Sequence, residues 1–262
     1  MPLSTVSLDD LVILDEDSFS HVALYGLLAR LLRQSGHRFL VPATDEVASW
    51  DRAVFLNLTY WNADQGADIL CERQISADVV AHVAWHHVVH RKLTDLVGKA
   101  GARSARALFF AESIASAFDL YLVGRLLQNM PDSDFITSQV PIMADAAEQA
   151  GLSGDDFAAL MAAVVHDPER AFEDLRALLV DVTSALFQCS DAVSAQLALE
   201  SFAAHRFAPL LHHYQLSAWI LYARAYGVSA SANESDQEIE KIDQVLRQAP
   251  ASVDWLATHW AQ

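Results

Sequence analysis

The residues best suited to chemistry lie in Asp78-Val-Val-Ala-His82-Val-Ala-Trp-His86-His87-Val-Val-His90 and, after a glycine-marked break, Glu112-Ser-Ile-Ala-Ser116-Ala-Phe-Asp119. His82 and His86 are four apart, so a helix places both imidazoles on one face, one turn apart. His90 continues that stripe with a drift of about 40° per step, whereas His87 points to another side and reads as structural. Folding the stretch at Gly98 and Gly101 sets His90 opposite Glu112, His86 opposite Ser116 and His82 opposite Asp119. Glu112 can then approach the His82/His86 face. Two imidazoles and one carboxylate make a three-ligand set with open positions, suited to catalytic Zn²⁺ or non-heme Fe²⁺. The competing reading is that the histidines cap or fill the core and Glu112 meets an arginine.

The elements that must hold these groups are two antiparallel helices, 76–97 and 104–128. Ser76 and Ser104 are placed to cap them, Asp78 sits in a first turn where negative charge is favoured, and Gly98 and Gly101 end the first helix. Ala107 to Leu127 is apolar on nearly all sides yet contains Glu112, Asp119 and Arg125. It is long enough to span a bilayer, but those charges favour the core of a globular protein. A buried carboxylate is costly without a partner, and no Lys or Arg lies three or four residues from Glu112. A metal ion is the partner this argument supplies. Asp119 is placed to orient His82 by accepting its non-ligating N–H, or to pair with Arg91 or Arg125; Asp78 and His90 are further outer groups, His90 also an alternative ligand.

His-x-x-x-His on one helix followed about 25 residues later by Glu-Ser on the next resembles the core of the helical gluzincin metallopeptidases, the thimet-oligopeptidase-like and Taq-carboxypeptidase-like groups. The likeness covers roughly 50 of 262 residues. It implies a divalent metal held by His82, His86 and Glu112. In the second group the glutamate opens a segment similar to Glu112-Ser-x-x-Ser116, with an acid seven residues on, as Asp119 is here. Those enzymes carry His-Glu-x-x-His, whose Glu activates water, and this chain has Val83 there. Valine takes no proton, so the expectation shifts from peptide hydrolysis to other chemistry, such as Fe²⁺-dependent oxidation. The alternatives are a zinc hydrolase with a displaced base, or a non-catalytic binding or interaction protein that kept the scaffold. A haem or small-ligand pocket using one His is a further reading.

A second cluster is His212-His213-Tyr214 with Tyr222 and Tyr226, about 100 residues after Glu112. The thimet-oligopeptidase-like enzymes have a His- and Tyr-rich helix at a similar distance that stabilises the reacting oxyanion, which implies catalytic roles for His213 and Tyr222. The bland reading is a surface His pair with core tyrosines. Glu200 and His205 lie close by in sequence.

The 262 residues are 53% hydrophobic and 19% charged, which excludes a disordered chain, and 34 acids against 17 bases give a net charge of −17. That balance argues against nucleic acid and anionic membranes and for a cationic or neutral partner, a small-molecule or peptide substrate, and it leaves a homodimer open. Two cysteines and no basic-apolar leader point to the cytoplasm. Glu-x-x-His, nucleotide-binding glycine loops and nucleophile elbows do not occur.

The fold class expected is all-α: a single domain over 1–262 of about ten helices around the central pair, with lobes 1–130 and 131–262 meeting at the Pro131-Asp-Ser-Asp134 break. Ahead of the pair come a strand-like Leu11–Leu14, a helix from Asp17 or Ser18 to Gln34 closed by Gly36, an aromatic helix over about 45–63 carrying Trp50, Phe55, Tyr60 and Trp61, with Asn57 and Asp64 as pocket candidates, and a short helix or turn over 64–74. Beyond it come helices over about 139–150 and 154–166, one from Pro168, one opened by Asp191, one carrying His212 to Tyr226, a polar loop over Ser229–Gln237, and short helices over about 236–247 and 252–260.

Overall fold

The computed structural model describes residues 3–43, 67–70, 72–226 and 232–262. The aromatic stretch 45–63, Asn57 and Asp64, Cys71 and the side chain of Tyr226 lie outside the described residues. The class is all-α, with eleven α-helices among the described residues and two small sheets in the N-terminal part. The chain divides into two compact units, Met1–Ala84 and Trp85–Gln262. The division falls inside a helix.

In the first unit, strand β1 (Leu3–Val6) pairs antiparallel with β3 (Arg38–Pro42), which pairs parallel with β4 (Ala67–Ile69). Strand β2 (Val12–Leu14) pairs parallel with β5 (Gln74–Ser76). The strand-like reading of Leu11–Leu14 holds, but β3 is unforeseen, and strands β4 and β5 replace the helix or turn expected over 64–74. Each is only three to five residues long, too short for an alternating pattern to stand out. The helix expected from Asp17 is broken into α1 (Glu16–Phe19) and α2 (Ala23–Gln34). Helix α2 buries Tyr25, Leu28, Ala29 and Leu32, the i, i+3, i+4, i+7 stripe of an amphipathic helix. Gly36 follows with φ +69°, the left-handed turn that costs glycine little.

Helix α3 (Ala77–Gly101) runs from the first unit into the second, with Gly98 at φ 73° breaking its last turn. Helix α4 (Ala105–Leu126) is capped by Ser104, whose side chain accepts from the Ala107 N–H. It is nearly all buried, including Phe109, Phe110, Glu112, Ser113, Ser116 and Phe118. It is the one helix among the described residues long and apolar enough to cross a membrane, but 83% of its most apolar window is covered by the protein itself. Phe118 meets Trp85 of α3 edge-on at 5.6 Å.

The remaining helices enclose α4. Helix α5 (Asp134–Gln149) starts earlier than residue 139, because Ser133 caps it directly after the proline break and Pro141 is accommodated inside it. Helices α6 (Gly154–His166) and α7 (Pro168–Gln188) follow, capped by Ser153 and Asp167, with Pro168 in the first turn of α7. A Cβ on Gly124 would lie 2.8 Å from the Val164 carbonyl oxygen and from Pro168 Cβ, so glycine is what lets α4 approach the α6–α7 corner. Helix α7 lies along α4, and its Arg176, fully buried, bonds Glu173 at 2.7 and 2.8 Å and Asp243 at 2.6 Å. Helix α8 (Ala192–Glu200) is opened by Asp191 as expected.

The single helix expected to carry His212 through Tyr226 is instead a 3-10 segment, Ala208–Tyr214, and a separate α9 (Leu216–Tyr226). Gln215 between them is left-handed, φ 49°. Pro209 near the segment's start cannot donate to a preceding α-turn, which favours the tighter winding there. The polar loop expected to reach Gln237 is helical from Ala232: α10 (Ala232–Gln248) carries Asp236, which accepts from Ser104 at 2.8 Å, and Asp243, which meets Arg176. Tertiary contacts thus order a stretch whose composition alone reads as loop. Helix α11 (Ser252–His259) completes the chain, with Trp260 packed on Phe110.

Candidate metal centre

Helix α3 presents His82 and His86 one turn apart, and α4 presents Glu112 from two turns inside its N-terminus. One ligating atom from each of the three lies within 4.8 Å of the other two. His86 Nε2 stands 3.7 Å from Glu112 Oε1, beyond a hydrogen bond but inside ion-pair range. Glu112 is 3% exposed, while His82 and His86 are half-buried, so the site has a buried floor and a more open histidine side.

The donor set fits a divalent cation. Bonds of about 2.0–2.1 Å to His nitrogen and carboxylate oxygen place neighbouring donors about 3.3 Å apart around a four-coordinate ion. The His86–Glu112 separation of 3.7 Å is close to that spacing, and all three donors lie within 4.8 Å of one another. The arrangement can hold a metal ion through three protein ligands and leave coordination positions for substrate.

The helix register differs from the folded-hairpin count by one histidine step. Glu112 faces His86 rather than His90. Gly98 leaves helical geometry and Ala102 and Arg103 form the turn, so the two helices do not pair with equal residues on each side of the glycines. His90 is half-buried, and burial holds its pKa below the ordinary imidazole value. The three-ligand cluster does not include it. Val83, at the position where the gluzincin resemblance has its general base, is 4% exposed.

The outer groups sort by position. Asp78 lies in the first turn of α3, and its charge acts on Tyr25. Asp119 lies two turns beyond Glu112 on α4, and its charge acts on His213 and Tyr214. Of the two arginines considered for Asp119, Arg125 pairs with Glu169 and sits over the Tyr121 ring, and Arg91 reaches the Trp260 carbonyl at 3.5 Å.

The His/Tyr cluster is split by the left-handed Gln215. His213 and Tyr214 end the 3-10 segment, with rings edge-on at 4.9 Å, and His212 beside them is exposed. Tyr222 is half-buried on α9. Burial lowers the His213 pKa, with the negative charge of Asp119 opposing in part; burial and Asp119 together push the Tyr214 phenol far above its usual range. Tyr214 is the residue that sequence reasoning undervalued. Its only signal in the sequence is adjacency to His213, since nothing there reports the 3-10 winding that buries its ring. His205 accepts the Phe207 N–H at 3.2 Å through Nδ1, a local structural bond, and Cys189 is a half-buried free thiol.

No protein-family model, curated protein or solved structure matches this chain.

Proposed function

We propose that this protein is a metalloenzyme that holds one divalent ion, Fe²⁺ or Zn²⁺, through His82, His86 and Glu112, and that its chemistry is not peptide hydrolysis. Fe²⁺-dependent oxidation of a small molecule is the reading we favour. The carrying observation is the convergence of two imidazoles and a buried carboxylate within 4.8 Å. Glu112 contributes one negative charge against the cation's two, and the two imidazoles are neutral when they ligate. Bound Fe²⁺ would supply dioxygen activation at its open positions, with dioxygen as the oxidant.

The same residues bear on the gluzincin resemblance. The ligand spacing is that of the helical metallopeptidases, and we take the chain to be a repurposed relative. Val83 cannot remove a proton from water, which is why hydrolysis is the second reading rather than the first. Were the ion Zn²⁺, a base from elsewhere, such as His213, would have to serve.

The test is elemental analysis of protein purified without a histidine tag. About one Fe or Zn per chain is expected, and His82→Ala should abolish it. Iron favours the oxidative reading and zinc the hydrolytic one. A His82→Ala protein that keeps its full metal content would remove the assignment.

A further inference from the structure

Helix α8 (Ala192–Glu200) buries none of its residues, although six of its nine are Ala, Leu or Val. A helix this short draws its stability chiefly from packing an apolar face, and α8 leaves that face uncovered. Between α8 and α9 lies a groove of about 1060 Å³, walled by Leu186 of α7, Ala195 and Leu199 of α8, Leu211 of the 3-10 segment, and Ile220 and Leu221 of α9. Leu221 is 67% exposed, so the groove is open to solvent rather than closed over. It shares no residue with the metal centre.

The rim of the groove is negative. Asp191 and Glu200 line it from the two ends of α8, and both are exposed. The C-caps of α5 and α7, Ala150 and Cys189, also line it, and helix C-termini carry partial negative charge. Arg224 is the only Arg or Lys among the lining residues, and it already donates to the Phe187 and Cys189 carbonyls. Residues 131–200, which supply α5 to α8, carry 13 Asp or Glu against two Arg and no Lys. Both arginines are paired, Arg170 with Asp174 and Arg176 with Glu173 and Asp243.

These features select the occupant. The volume exceeds the roughly 300–1,000 Å³ of pockets that enclose a small ligand. A second copy in a two-fold dimer would set the same patch against itself, one negative rim facing another. The five strands all precede residue 77, so no sheet edge lies in this part of the chain for an extended segment to join. We infer that the groove docks a basic amphipathic helix of a partner protein. Leucine-like side chains at i, i+3, i+4 and i+7 fill the apolar floor, and Lys or Arg beside that row meets Asp191 and Glu200.

The experiment is fluorescence anisotropy of a labelled probe peptide titrated with the full chain. The probe has about 18 residues, five helical turns, with leucine at i, i+3, i+4 and i+7 and lysine elsewhere. One control peptide has glutamate for every lysine; another has the same composition with its leucines scattered around the helix. The probe should bind, more weakly at raised salt, and each control at least roughly tenfold more weakly. Leu221→Ser should weaken the probe by a similar factor with an unchanged circular dichroism spectrum, and Glu200→Gln should weaken it and reduce its salt dependence. Leu197→Ser is the comparison: Leu197 is 61% exposed but lies about half a turn around α8 from Ala195 and Leu199, so binding should not change. The inference is overturned if the scattered peptide binds as tightly as the probe, as unspecific attraction to an acidic chain would give, or if Leu221→Ser binds the probe undiminished. It is also overturned if sedimentation shows a dimer that Leu221→Ser dissolves, or if mass spectrometry finds a small apolar molecule carried by the purified chain and absent from that variant.

Discussion

Replacing Glu112 by Gln isolates the electrostatic part of the proposed centre, because the side chain keeps its size and loses its charge. Glu112 is 3% exposed, on a helix buried on almost every side. A carboxylate there is costly without a cation. Two effects of opposite sign follow. In metal-free protein the substitution removes a buried charge and should leave stability unchanged or raised. In the presence of metal the wild type gains stability by mass action, about 2.7 kcal/mol at a free metal concentration of one hundred times Kd. For a chain of this size that is a rise of roughly 5–10 °C in Tm. Glu112→Gln should lose that rise, because two half-buried imidazoles alone hold a divalent ion weakly. The assay is thermal unfolding by circular dichroism, chelated and with Fe²⁺ added anaerobically or Zn²⁺ in air. A Glu112→Gln protein whose Tm climbs with metal as far as the wild type's would refute the reasoning, since Glu112 would then be no ligand. A wild type that does not respond to either metal would refute it more broadly.

Two further outcomes follow from buried charge elsewhere. Arg176 is completely buried between Glu173 and Asp243, so Arg176→Ala should strand the Glu173 carboxylate, leave Asp243 with Arg247 alone, and cost about 3–5 kcal/mol in urea denaturation. A loss below 1 kcal/mol would show the network to be dispensable. His90, His205 and His213 each have a pKa held below the ordinary imidazole value, chiefly by burial. For a depressed pKa the unfolded chain takes up the proton first, so the stability these residues contribute is present above about pH 6.5 and is lost as pH falls through their folded values. The urea midpoint should therefore drop between pH 7.5 and pH 5.5, and His213→Gln should flatten the slope; a midpoint that rises on acidification contradicts the assignment.

Much of the architecture could be read from local chemistry. Caps at Ser104, Asp167 with Pro168, and Asp191 open helices where they stand, because each satisfies backbone N–H groups within a few residues. Where long-range contacts decide, local reading fails. The short strands Arg38–Pro42, Ala67–Ile69 and Gln74–Ser76 exist through pairing with distant segments. The helix from Ala232 draws on a bond from Ser104, more than a hundred residues away.

The candidate centre divides in the same way. Helical spacing alone, four residues at 3.6 per turn, puts His82 and His86 on one face, and an acid in an apolar helix with no Lys or Arg three or four residues away implies that Glu112 lies inside. Which histidine Glu112 meets depends on how the chain turns between two helices, and a one-turn shift there changes the partner without changing the sequence pattern. Side-chain periodicity is a property of neighbours along the chain; the meeting of a carboxylate on one helix with an imidazole on another is set only when the core closes around them.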